Sequence, residues 1–312
     1  MEIRNTYTAP RVVLLFLDGV GIGKKDPDYN PFFRARLPVL SSLCGGELPH
    51  TPFKHISSDH AEVIGVNATL GIAGLPQSGT GQTAIFTGIN GAKIFGRHFG
   101  PHPPSVLRPI IATKNIFQQL KDIRKSAVFA NAFPKLFFEY TQSGTRRLTV
   151  TTMSCQFAGI PLLTDRELRM EEGISADFVR TKWPELGHPD INPISSREAG
   201  RHLVQIAKRF DFTLFEYWLP DHAGHSQKMS FAIEVLERFD EFLSGFMELF
   251  DPVTTLLLLI SDHGNIEDLS TKSHTRNRVP CILVGAQRQQ LVRRIRSLTH
   301  ITPAIMSLFI NS

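Results

Sequence analysis

Apolar positions along the chain follow two rhythms. Short, largely apolar runs occur at Val12–Leu17, Thr213–Leu219, Thr254–Ser261 and Cys281–Val284, with another at Ala127–Ala130. Runs of that length predict strands buried on both faces. Between them apolar residues recur every three or four positions. Ile233, Leu236, Phe239, Leu243 and Phe246 mark one face of a helix from about Ser226 to Phe250. Ser195-x-x-Glu198 is a capping-box pattern that opens a helix running to about residue 209. Residues 33–44 and Asn115–Lys121 also read as helical, and Thr302-Pro303 is expected to open a closing helix with Thr302 as N-cap.

Between Pro134 and Ser195 the rhythm changes. Phe137-Phe138 and Leu148–Thr152 read as β-like, followed by a charged stretch from Asp165 to Glu172 and then Pro184, Pro189 and Pro193. The expected fold is therefore α/β, a mostly parallel central sheet flanked by helices. Residues 1–135 and 195–312 would form this core, and 136–194 a small α+β insertion that caps it.

Composition adds little to this picture. Of 312 residues, 42% are hydrophobic and 20% charged, an ordinary globular balance that argues against disorder. The net charge of +5 suits an anionic small substrate without demanding a polyanion. Arg288, Arg293, Arg294 and Arg296 cluster, but a solvated helix face accounts for them as well as nucleic acid does, and no nucleic-acid partner is expected. Cys44, Cys155 and Cys281 have no regular spacing, which argues against a disulfide scaffold and for a reducing compartment. No apolar run reaches membrane-spanning length and the first ten residues carry charges and Pro10, so a cytoplasmic protein without a membrane partner is expected.

The candidate chemistry sits where apolar runs end. Val12–Leu17 ends in Asp18-Gly19, Thr213–Leu219 leads to Asp221-His222-Ala223-Gly224-His225, and Thr254–Ser261 runs into Asp262-His263-Gly264-Asn265, with His274 close behind. Ligands of open α/β sheets gather beyond the carboxyl ends of strands, so these stretches are expected to converge. The glycines after Asp18 do not have the spacing of a dinucleotide fingerprint. A spacing of four places Asp221 and His225 on one helical face, as a ligand pair or as an exposed ion pair. Adjacent Asp262 and His263 side chains diverge, which suits two neighbouring ions, though a turn cap and a satisfied histidine would look the same. Ser78 opens a glycine-rich entry into a helix. Its hydroxyl either caps that helix or sits at a phosphate cradle.

Taken together, these residues form an oxygen and nitrogen ligand set suited to zinc or manganese. Asp18-Gly19, Ser78-x-x-Gly81, Asp221-x-x-Gly224-His225, Asp262-His263-Gly264-Asn265 and His274-Thr275 resemble, in order, the motifs of the alkaline phosphatase superfamily. The branch they most resemble is that of cofactor-independent phosphoglycerate mutase and phosphopentomutase. The resemblance implies an alkaline phosphatase-like core and two divalent ions. One would be held by Asp221, His225 and His274; the other by Asp18, Asp262, His263 and Ser78. It also implies that Ser78 is transiently phosphorylated, with Thr80 as the second candidate, during phosphomutase-like transfer on a small phosphorylated metabolite.

Two departures stand out. Gln82 replaces a histidine frequent in the two mutases, and the chain is shorter than a typical member of the first. Arg97, Arg146, Arg147 and Arg166 are candidates for gripping the substrate, each with a solvated surface role as the alternative. The other readings are a phosphatase on the same site, a sulfatase and a non-catalytic metal-binding module. A sulfatase would need a proline and an arginine after its nucleophile, and Ser78-Gly79-Thr80-Gly81-Gln82 has neither.

Overall fold

A computed structural model of the chain describes residues 9–144 and 147–310. Seven strands form one sheet: β1 (Arg11–Leu17), β2 (Ile56–Ser57), β3 (Ala61–Val66), β4 (Ala127–Phe129), β5 (Phe212–Tyr217), β6 (Thr255–Ile260) and β7 (Val279–Gly285), in the order β2-β3-β7-β6-β1-β5-β4. The aliphatic runs form β1, β5 and β6, which lie side by side and parallel at the centre. Alternate side chains feed two cores. Val12, Leu14 and Phe16 pack against the helices Ser78–Thr87 and Ile301–Ile310, while Val13 and Leu15 face Ser196–Ala207 and Met229–Leu249.

The sheet is mixed, and parallel only in part. β4, β5, β1 and β6 run parallel, whereas β7 is antiparallel to both β6 and β3, and β2 is antiparallel to β3. A parallel return requires a crossover, usually helical. The link 261–278 contains no helix, so the chain re-enters the sheet from the end at which β6 leaves it.

Four local expectations are corrected. The β-like stretches are helices, Lys135–Gln142 and Val150–Ala158. Thr149 caps the second by accepting from Thr152 N, and Val150, Met153, Cys155 and Ala158 join the main core, so packing overrides β-branched propensity. The helix expected over 33–44 shrinks to Pro38–Leu43, because Pro38 has no N–H to continue a helix from the amino side. Thr302 lies inside the last helix, Ile301–Ile310, and its hydroxyl donates to Ile85 O at 2.7 Å. β3, for which the pattern gave no expectation, pairs with β7. Among the described residues no helix is long and apolar enough to cross a membrane.

The helices Ser196–Ala207 and Met229–Leu249 approach so closely that their contact requires glycine. A Cβ at Gly245 would lie 1.8 Å from Arg197 O, and one at Gly200 would lie 2.1 Å from Phe242 O. Backbone oxygens cannot move aside as a flexible side chain can. Gly245→Ala is therefore expected to destabilise the fold by about 1–3 kcal/mol in urea denaturation, despite alanine's better helix propensity. A gain in stability would contradict this packing.

Candidate metal centre

Register places the three central strand exits at one level, since Leu17 pairs with Tyr217 and Phe16 pairs with Ile260. Asp18 and Asp262 follow within two residues of their strand ends. Asp221 and His225 lie one turn apart on the short helix Leu219–Ser226, the helical case of their spacing. Ser78 is the first residue of the helix Ser78–Thr87, whose N-cap is Gln77. Its hydroxyl meets His263 Nε2 at 3.0 Å rather than capping the helix. The Thr80 hydroxyl is committed to the backbone instead, donating to Gln77 O and accepting from Phe99 N.

All seven candidate residues come together around two groups. In one, Asp221, His225 and His274 each offer a ligand atom; in the other, Asp18, Asp262 and His263 do so, all within 4.8 Å of one another in each group. His225 Nε2 lies 3.3 Å from Asp221 Oδ2, and His274 Nε2 lies 3.5 Å from Asp221 Oδ1. His263 Nε2 is 3.4 Å from Asp18 Oδ1 and 3.5 Å from Asp262 Oδ2. The groups adjoin, with the His263 and His274 rings stacked at 3.7 Å between centroids.

Hydrogen bonding tests whether cations fit. His225 Nδ1 faces Lys272 O and His274 Nδ1 faces Pro76 O, each at 2.7 Å. A carbonyl only accepts, so each Nδ1 carries a proton, and Nε2 is the ring atom turned toward Asp221 and available to a metal. These two Nε2 atoms lie 3.2 Å apart. In the other group Asp18 Oδ1 and Asp262 Oδ2 are buried without a hydrogen-bond donor. Buried carboxylate oxygens without donors in one group, and imidazole Nε2 atoms converging on a carboxylate in the other, are arrangements a divalent cation satisfies, and the residues fit one in each group.

The same crowding shifts protonation. Burial, then the charges of Asp262 and Asp221, hold Asp18 well above the usual carboxylate range. Burial followed by the Asp221 charge pushes Asp262 up to about 8. Burial and the neighbouring His274 push His263 down to about 3, and burial also lowers His274. The hydrogen bond to Asp221 raises His225. Burial alone would raise Asp221, but His225, His263 and the Asn265 amide outweigh it and hold it below the usual range.

The sequence reading gave no role to Asn265, Glu216 or Glu267. Asn265 Nδ2 donates to Asp221 Oδ1 at 2.7 Å and orients that carboxylate. Glu216, a charge within an otherwise apolar strand, is pushed up to about 7 by burial and adds its field to Asp18 and Asp262. That lone charge was the available signal. Of the arginine candidates, Arg97, Arg147 and Arg166 are exposed, and Arg97 lies over the Phe95 ring. Arg146 lies outside the described residues.

A family model described as the Metalloenzyme superfamily matches residues 10–312. Over 132 residues the chain is 27% identical to the 2,3-bisphosphoglycerate-independent phosphoglycerate mutase of Moorella thermoacetica, covering 40% of this chain and 26% of that protein. It is 31% identical over 124 residues to the enzyme of the same name from Agrobacterium fabrum, covering 37% and 25%. The matches thus span only a minor part of those relatives' length. The fold is similar to that of the PH0037 protein of Pyrococcus horikoshii, with a TM-score of 0.58 and 13% identity over 97% of this chain and 98% of that one. Alkaline phosphatase from the Antarctic bacterium TAB5 gives a TM-score of 0.54 and 14% identity over 97% and 98%. At these identities the structural likeness shows an alkaline phosphatase-like fold. The family match extends over both ligand groups and the serine beside them, and on that match the chain belongs to the Metalloenzyme superfamily.

Proposed function

We propose that the protein transfers phosphoryl groups of a small phosphorylated metabolite through a phosphoserine at Ser78, in the manner of a phosphomutase. The observation that carries this reading is a hydroxyl at the first turn of a buried helix, 3.0 Å from His263 of one ligand group, whose ring stacks on His274 of the other. Asp221, His225 and His274 would hold one divalent ion, and Asp18, Asp262 and His263, with Ser78, the other. Zinc and manganese suit this oxygen and nitrogen set. When bound, such ions would polarise phosphate oxygens and favour the serine alkoxide.

The protein's own contribution is placement. Ser78 Oγ attacks phosphorus in line as the bond from phosphorus to the carrier oxygen breaks, with the positive end of the helix Ser78–Thr87 beside the equatorial oxygens. Return of the phosphoryl group to another hydroxyl of the same molecule completes a mutase cycle. One observation favours a second outcome, since the His225 side chain is 45% exposed, which admits water to that edge. Attack by water on the phosphoserine would make the protein a phosphomonoester hydrolase. No nucleic acid or membrane enters either scheme.

Two experiments test this reading. Protein loaded with manganese or zinc is incubated with phosphorylated sugars, phosphoglycerates and an aryl phosphate. An isomerised product without free phosphate identifies a mutase, and free phosphate a hydrolase. In either case Ser78→Ala is expected to lower turnover by about 10³-fold or more, and unchanged turnover would sink the mechanism.

The second experiment follows protons. Asp262, raised to about 8, binds its proton more tightly folded than unfolded, so in metal-free protein its stabilisation is present at low pH and lost as pH rises from about 4 to 8. His263, lowered to about 3, is already neutral at pH 7. Metal uptake at pH 7 is therefore expected to release about one proton or more per chain from the carboxylates, and fewer at pH 9. Calorimetry in buffers of different ionisation enthalpy measures this; metal uptake without release at pH 7 would contradict the assignment.

A further inference from the structure

Glu267 is a carboxylate that the proposed reaction does not use. It is buried in a link between strands, and both its oxygens are engaged. Oε2 accepts from Gly21 N at 3.0 Å and from Asn265 N at 2.8 Å. Oε1 accepts from the Thr275 hydroxyl and from Asn277 Nδ2, the latter at 3.0 Å.

The donors belong to two loops. One succeeds β1 and carries Asp18; the other is the link from β6 to β7, whose outgoing arm carries Asp262 and His263 and whose returning arm carries His274. The chain makes room for this carboxylate at two glycines, since a Cβ at either Gly21 or Gly264 would lie 2.1 Å from Glu267 Oε1. A backbone pair, Thr275 N to Gly264 O at 2.9 Å, runs beside it.

We propose, on the binuclear reading above, that Glu267 is the positioning residue that sets the spacing of the two metal groups by tying the returning, His274-bearing arm of its own link to the outgoing, Asp262-bearing arm and to the Asp18 loop. Its two oxygens have separate duties. Oε2 holds backbone N–H groups from the two loops of the Asp18, Asp262 and His263 group. Oε1 holds side chains just beyond His274, which belongs to the other group.

This division predicts an asymmetric effect for Glu267→Gln. Backbone N–H groups can only donate, so the single amide oxygen must stay with Gly21 and Asn265. The amide nitrogen then faces Thr275 and Asn277, whose side chains must turn to accept, and the His274 arm loosens. Thr275→Val cuts the same side while leaving the carboxylate in place.

The test is a manganese titration of the metal-stripped full chain by calorimetry, with His225→Ala and Asp18→Asn assigning each binding step to its group. Both Glu267→Gln and Thr275→Val are expected to weaken the ion of the Asp221, His225 and His274 group by about 10–100-fold, while the other ion changes by less than about threefold. The double variant should add little to either single one, because both cut the same link. Equal weakening of both steps would mean a general structural role, and unmoved steps no role; either overturns the inference while the binuclear reading stands. Fewer than two ions bound by the wild type would overturn that reading, and this inference with it.

Discussion

The structure depends on three aspartates held close together in a dry place. Asp18 and Asp262 are buried and Asp221 is largely so; the charges of Asp262 and Asp221 raise the cost of ionising Asp18, and that of Asp221 the cost of ionising Asp262. Burying like charges without compensation is expensive, and a protein that keeps them must either protonate them or bind cations. The histidines point to the second solution, because their Nδ1 protons face backbone carbonyls and this leaves Nε2 beside Asp221 as the atom a metal would take.

The fold supplies what this arrangement needs. β1 lies between β5 and β6, so three adjacent parallel strands deliver their carboxylates to one edge. The helix Ser78–Thr87 is buried along its whole length, which fixes its first turn, and hence Ser78, against the strand exits. β7 runs the opposite way and brings His274 back from the same edge. Of the strands that depart from the expected direction, β7 is the one whose entry loop supplies a ligand.

Much of the site was legible in the sequence because continuous aliphatic runs mark central strands, and residues just past the end of a central strand in such a sheet lie at its functional edge. Strand direction was not legible, since periodicity carries no sign, and only the absence of a helix between β6 and β7 hints at it. Leu148–Thr152 misled because β-branched residues also line a well-packed helix face, and its membership in the core is decided by distant partners. Glu267 sits two residues past Asn265, yet its meaning depends on donors at positions 21, 265, 275 and 277, which no local pattern connects. The residues that choose the phosphate's carrier left no periodic or motif signal, and three of the four arginines suggested for that task are exposed.

The central claim is that the two ligand groups are two cation sites sharing one serine nucleophile. Anomalous X-ray scattering from crystals of the zinc-loaded protein tests it most directly. The account predicts two peaks per chain, one about 2.0–2.2 Å from ligand atoms of Asp221, His225 and His274, the other equally close to those of Asp18, Asp262 and His263 and beside Ser78 Oγ. A single peak, or peaks away from both groups, would contradict it.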